Sequence, residues 1–258
     1  MGADHRSDTE YTRYQRQILL PQLGERGQRR LRSARVLVVG AGGLGSPVLQ
    51  YLSAAGIGTI GVIDDDVVEE SNLHRQVIHS VASIGTPKVE SVVRSARRFT
   101  GDLVSIEPHN CRLTPANVSQ VFAGYDVIVD AADNFPTRYL ISDAASKTGK
   151  PVVWGSILGF HAQVSVFWSD PPSGKGVTLR DLFPEPPLPD AVPSLGEAGV
   201  VGALCGQAGS VMAMETIKMV ARIGEPLLGR ILVIDSLRAS FDQIVISPDA
   251  ALGIWSGS

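Results

Sequence analysis

VLVVGAGGLGSPVLQYLSAAGIGTIGVIDDD, residues 36–66, decides the fold of this chain. Val36, Leu37, Val38 and Val39 form an uninterrupted apolar run, the pattern of a strand buried on both faces. Gly40, Gly42, Gly43 and Gly45 follow it, then a helical segment from Gly43 to Ala55, then a second apolar run from Thr59 that ends in acid at Asp64. A glycine fingerprint alone is common. Here it follows a strand, opens a helix and is succeeded about 20 residues on by a carboxylate, the spacing of a ribose contact. The stretch is therefore a nucleotide-binding βαβ unit, with the four glycines as phosphate cradle and Asp64 on the ribose. A carboxylate on ribose hydroxyls serves NAD and ATP alike, so Asp64 does not choose between them.

Outward from this unit, strands and helices alternate. Tyr11–Arg32 reads as two short helices broken at Pro21, after a polar segment, residues 1–10, expected to be disordered. A helix is predicted from Pro87 to Phe99, a strand over Leu103–Glu107 and a helix over Pro115–Phe122. Asp126–Ala131 is a buried strand, followed by a helix from Pro136 to Thr148 and strands at Pro151–Ser156 and Gln163–Trp168. A last helix over Gly202–Arg222, stopped near Gly224, precedes closing strands at Leu232–Ile234 and Phe241–Ile246. The pattern predicts an α/β, Rossmann-like, doubly wound and mainly parallel sheet with antiparallel closing strands. Seven of the 16 prolines fall between Asp170 and Pro193, which marks a Pro-rich crossover loop over about residues 170–198. The rest of residues 11–250 is read as a single domain, with 251–258 as a tail.

Composition narrows the function. The chain has 258 residues and a net charge of −3, so no basic footprint points to nucleic acid or an anionic membrane. No apolar run is long enough to span a bilayer, and the polar start MGADHRSDTE is no signal peptide. Two cysteines, Cys111 and Cys205, exclude a disulfide framework, fit a reducing cytoplasm and are expected as small core residues.

The cations separate hydride transfer from adenylation. A dehydrogenase holds a pyrophosphate that never leaves. An adenylating enzyme must stabilise departing pyrophosphate, which demands positioned positive charge beyond a helix dipole. Arg75 follows the second strand beside Asn72 and Gln76, Lys88 opens a helix directly after Pro87, and Arg16 lies near the N-terminus. In the acidic run Asp64-Asp65-Asp66, alternation along an extended chain puts Asp64 and Asp66 on one side, so Asp66 is expected to steady a nearby arginine. Asp133 and Asn134 end another buried strand, where ligands meet doubly wound sheets. Asp133 suits Mg²⁺, and either residue suits a helix cap ahead of Pro136.

Together these residues resemble the ThiF/MoeB family, prokaryotic relatives of ubiquitin-activating enzymes. The resemblance rests on Arg13-Tyr14-Gln15-Arg16-Gln17, the glycine turn, Asp64-Asp65-Asp66-Val67-Val68, Ser71-Asn72-Leu73-His74-Arg75-Gln76, Gly85-Thr86-Pro87-Lys88-Val89-Glu90, Asp130-Ala131-Ala132-Asp133-Asn134 and Glu197-Ala198-Gly199-Val200. It implies ATP- and Mg²⁺-dependent adenylation of the C-terminal glycine carboxylate of a ubiquitin-like sulfur carrier ending in Gly-Gly. It also implies a homodimer in which Arg16 reaches the partner subunit's nucleotide. Asn72, Arg75 and Lys88 resemble phosphate and catalytic contacts, Asp64 the ribose contact and Asp133 the magnesium or catalytic aspartate; Asp66, Gln76 and Asn134 join the nucleotide contacts. Two departures stand out. Many relatives build a zinc site from two CxxC pairs, but here the first region reads Lys175-Gly176-Val177-Thr178, so no zinc site is expected. Where relatives often carry a cysteine before the Glu-Ala-Gly-Val motif, this chain has Ser194-Leu195, which argues against a thioester step there; Cys205 is not assigned nucleophilic duty. The chain also stops short of the sulfurtransferase domain that some relatives append. Three rivals remain at this level: an NAD-dependent oxidoreductase, a non-catalytic nucleotide-holding partner subunit, and an enzyme adenylating a peptide or tRNA-linked carboxylate.

Overall fold

A computed structural model describes residues 8–187 and 198–246. Eight strands form one sheet in the order β3-β2-β1-β4-β5-β6-β7-β8. They are β1 (Arg35–Val39), β2 (Thr59–Ile63), β3 (Ser105–His109), β4 (Val127–Asp130), β5 (Val152–Leu158), β6 (His161–Phe167), β7 (Arg230–Asp235) and β8 (Ser240–Val245). From β3 to β5 neighbours run parallel; from β5 to β8 they run antiparallel. Among the described residues the helices are α1 (Asp8–Ile18), α2 (Gly24–Ser33), α3 (Gly45–Ala55), α4 (Lys88–Thr100), α5 (Val118–Ala123), α6 (Phe135–Thr148), α7 (Leu179–Leu182) and α8 (Gly202–Ala221).

Alternation along the strands builds two cores. Val36, Val38, Ile60, Val62, Val127 and Val129 face one side, where α3 and α8 close over them. Leu37, Ile128, Ile141, Trp154 and Phe122 pack on the other side with α5 and α6. Both faces of the parallel half are thus covered, which is why its strands read as continuous apolar runs. Gly61 on β2 leaves room for the Tyr125 ring; a Cβ there would lie 2.3 Å from its hydroxyl oxygen. The strand order reverses direction between β1 and β4, so the loops after them diverge and open a crevice at the carboxyl edge.

Several expectations shift. α1 begins at Asp8, inside the segment expected to be disordered; residues 1–7 lie outside the described residues. The third strand is Ser105–His109 rather than Leu103–Glu107. β3 runs on through Pro108 because it is an edge strand, where a residue without an N–H breaks no ladder. Cys111 is exposed, not a core residue, because the chain after β3 runs along the crevice rim. The crossover loop contains α7, and Val177 pairs with Trp168. Its residues 188–197, including Ser194, Leu195 and Glu197, and the tail 251–258 lie outside the described residues.

Candidate active site

A cleft of about 700 Å³ opens at the switch point. It gathers the ends of three strands: Gly40, Gly42 and Gly43 after β1, Asp64–Asp66 after β2, and Asp133 and Asn134 after β4. Arg75, Gln76 and Lys88 line it as well. Three other expected residues do not. Gly45 lies behind the turn, where a Cβ would come 2.0 Å from the Gly40 carbonyl oxygen, so its part is close packing of helix on strand. Asn72 is buried in a short 3₁₀ turn, accepting the Glu69 N–H at 3.3 Å. Arg16 is exposed in the last turn of α1, outside the cleft.

The glycine turn is shaped by its neighbours. Gly40 takes φ +96°, left-handed backbone that favours glycine. A Cβ on Gly42 would approach only the Gln76 amide, at 3.8 Å, so this position is an open cradle. Behind Gly43 stands Cys205 of α8, whose Sγ would lie 2.8 Å from an added Cβ. Cys205 is fully buried, and that burial pushes its thiol pKa up to about 11. It is a packing residue, poorly suited to attack.

The acids divide their work. Asp64 accepts the Ala41 N–H at 2.7 Å and the Asp66 N–H at 2.9 Å. Burial lifts its pKa, while the Lys88 charge and these two N–H groups oppose the lift. Lone pairs remain on both oxygens for hydroxyl donors. Asp65 pairs with Arg112 at 3.1 Å. Asp66 pairs with Lys88, Nζ to Oδ2 2.8 Å, and not with an arginine as expected. The cause is the antiparallel bridge between Val67 and Pro87, which draws the start of α4 beside the acidic run. Asn134, not Asp133, caps α6 by accepting the Thr137 N–H at 3.0 Å; its amide also donates to Asp133.

Lys88 is only 5% exposed, yet it lines the cleft. Arg75 is half-buried and anchored through Nη1, which donates to the Ser71 carbonyl at 3.0 Å and lies 2.9 Å from His74 Nε2. Gly202, the first residue of α8, lets the His74–Arg75 backbone seat against that helix. Gln76 is buried, lines the cleft and has an unpartnered Oε1. Among the described residues no cluster of three or more His, Cys, Asp or Glu could hold a metal. Mg²⁺ between nucleotide phosphates needs only one or two protein carboxylates, and Asp133 supplies one at the cleft.

Sequence reasoning missed two features. Arg138 of α6 is buried beside the cleft, donating through Nε and Nη2 to the Ala132 carbonyl and through Nη1 to Ser156. Asp130 is buried nearby, accepts the Ala132 N–H at 3.0 Å and has its pKa raised to about 6 by desolvation, against the pull of Arg138. The second is His79, buried behind the glycine turn. Asp130 stands in the quoted Asp130–Asn134 motif but drew no role there; Arg138 and His79 gain Ser156, Ala41 and Ser91 as partners only through tertiary contact.

The sequence profile of the ThiF family matches residues 14–252. The chain belongs to the ThiF family. Among its relatives, the probable adenylyltransferase/sulfurtransferase MoeZ of Mycobacterium tuberculosis is 54% identical over 243 residues, covering 94% of this chain and 62% of MoeZ. This ThiF-family chain thus spans less than two thirds of the length of that relative. The sulfur carrier protein adenylyltransferase of Thermus thermophilus is 50% identical, covering 92% of this chain and 88% of that protein. Among solved structures, Escherichia coli MccB with ATP shares the ThiF-type fold at a TM-score of 0.75 and 21% identity, covering 96% of this chain and 74% of that one. The crystal structure of PaaA is similar at 0.79, also at 21% identity, covering 95% and 76%. Membership fixes the Rossmann-type fold expected from residues 36–66. No described helix is long and apolar enough to cross a membrane.

Proposed function

We propose that this chain uses ATP to adenylate the C-terminal glycine carboxylate of a small ubiquitin-like sulfur carrier, releasing pyrophosphate. The observation that carries this reading is the buried Lys88 ammonium, which opens on the same cleft as the glycine turn, Asp64 and Arg75. A buried cation at a phosphate cradle is out of place in a site that only stores a dinucleotide. The names of the Mycobacterium and Thermus relatives support the same chemistry.

The chain's residues divide the task as follows. Asp64 accepts the ribose hydroxyls. Gly42 and Gly43 let the phosphates approach backbone N–H groups. Arg75, Gln76 and Lys88 take the outer phosphates, with Asn72 bracing the turn that carries Arg75. Burial of Lys88 away from bulk water strengthens its attraction for charge that builds as pyrophosphate departs. Magnesium held by Asp133 would supply further neutralisation of phosphate charge. Arg16, exposed on α1, serves the cleft of a second copy in a homodimer. One carboxylate oxygen of the carrier attacks the α-phosphorus; the bond to the β-phosphate oxygen breaks and its electrons leave with pyrophosphate. The product is an acyl-adenylate. Glycine at the carrier terminus suits this approach, since no side chain widens the entering strand. An ATP-consuming reaction and two free thiols support a cytoplasmic setting.

Hydroxylamine trapping tests the reading. With ATP and a Gly-Gly-ended carrier, mass spectrometry should find a hydroxamate on the terminal glycine. A hydroxamate formed only on short peptides, or on no carrier, would overturn it.

A further inference from the structure

We infer that His79 is a positioning residue, a neutral clamp that joins three segments of the nucleotide cleft and aims the Gly42 N–H at the phosphates. The inference rests on the adenylation reading for its ligand, but its geometry stands apart from it.

His79 is 7% exposed and does not line the cleft. Its Nε2 lies 3.0 Å from the Ala41 carbonyl oxygen. A carbonyl only accepts, so Nε2 carries the proton and donates. Nδ1 is then the acceptor, and the Ser91 hydroxyl donates to it at 2.9 Å. The backbone N–H of His79 donates to the Gln76 carbonyl at 3.0 Å. One side chain and its own peptide therefore tie the glycine turn, the Arg75–Gln76 turn and α4. Ser91 lies one turn along α4 from Lys88, so the clamp sets the Lys88 helix against the phosphate cradle.

The Ala41–Gly42 peptide gives the clamp its consequence. In a trans peptide the N–H points opposite to the C=O. With the Ala41 carbonyl held toward His79, away from the cleft, the Gly42 N–H faces the cleft that Gly42 lines. The Asp64 carboxylate holds the preceding N–H, that of Ala41. The turn is thus fixed on both sides of Ala41, and its free N–H is ready for an anion without rearrangement. Burial and the nearby Lys88 charge lower the His79 pKa, which keeps the donor–acceptor tautomer in place.

Two measurements on the full chain test this. Amide hydrogen exchange over residues 40–46 reads the clamp without ATP. Mg-ATP titration calorimetry reads its effect on binding. His79→Phe keeps the volume but loses the donor; His79→Gln restores an N–H at about the Nε2 position. His79→Phe should speed exchange and weaken ATP binding by about tenfold, the value of one buried hydrogen bond, and His79→Gln should recover most of both. Ser91→Ala, which frees the tautomer, should weaken ATP by about threefold and serves should His79→Phe not fold. ATP binding unchanged in His79→Phe, or His79→Gln as weak as His79→Phe, overturns the proposal. Wild-type protein that clamps the turn but binds no ATP overturns the adenylation reading and, with it, the role in binding, while the exchange data still report the clamp itself.

Discussion

At the scale of single residues, the site sets charge where burial opposes it. Asp130 shows the effect on stability. Its folded pKa of about 6 lies above the ordinary carboxylate value of 3.8, so the folded chain holds a proton that the unfolded chain has lost. Its contribution is fully present below about pH 4 and is lost as pH rises toward 6. The stability difference between wild type and Asp130→Asn should therefore fall over that window and level off above it. Chemical denaturation at pH 4, 5, 6 and 7 measures this; a flat difference would mean that Asp130 is not desolvated. Gly45 makes the opposite kind of demand. A Cβ there would sit 2.0 Å from the Gly40 carbonyl oxygen, backbone that cannot yield cheaply. Gly45→Ala should lose about 3 kcal/mol or more, read by urea denaturation, through overpacking rather than through lost phosphate contact. Gly40, Gly42, Gly43, Asp64, Arg75 and Lys88 were legible as cleft residues because each follows a strand or stands at the start of a helix. Arg138 and His79 were not, because their partners Ser156, Ala41 and Ser91 meet them only once the sheet has closed.

At the scale of elements, the ends mattered more than the bodies. The apolar strands and the helices between them were readable from period and punctuation. Their ends depended on neighbours: β3 runs past Pro108 only because it lies at a sheet edge. The start of α6 depends on Asn134, whose side chain satisfies the Thr137 N–H. Asn134→Ala should cost about 1 kcal/mol in urea denaturation. On the opposite face of the sheet, α8 acts as a lid on the back of the glycine turn, with Cys205 as the contact. The native protein should react quickly with iodoacetamide at Cys111, on the rim, and at Cys205 only after unfolding. Peptide mapping distinguishes the two; fast native labelling of Cys205 would mean that α8 does not cover the turn.

At the scale of the whole molecule, one chain presents a cleft whose expected cations are not all its own. Lys88 and Arg75 line it, while Arg16 faces outward on α1. If Arg16 serves a second copy, then Arg16→Ala and Lys88→Ala proteins, each inactive alone, should recover about a quarter of wild-type activity when mixed and re-associated in equal amounts. Half the dimers would be mixed, and each would keep one complete site. No recovery after confirmed exchange of subunits would place Arg16 outside the reaction. The central claim is that buried positive charge at this cleft drives pyrophosphate from ATP toward a carrier carboxylate. Carrier-dependent ATP–pyrophosphate exchange measures it most directly. Wild type should exchange only when a Gly-Gly-ended carrier is present, and Lys88→Ala should lose about 100-fold or more with the fold retained by circular dichroism. Exchange at the wild-type rate in Lys88→Ala, or none in wild type with any such carrier, would contradict it.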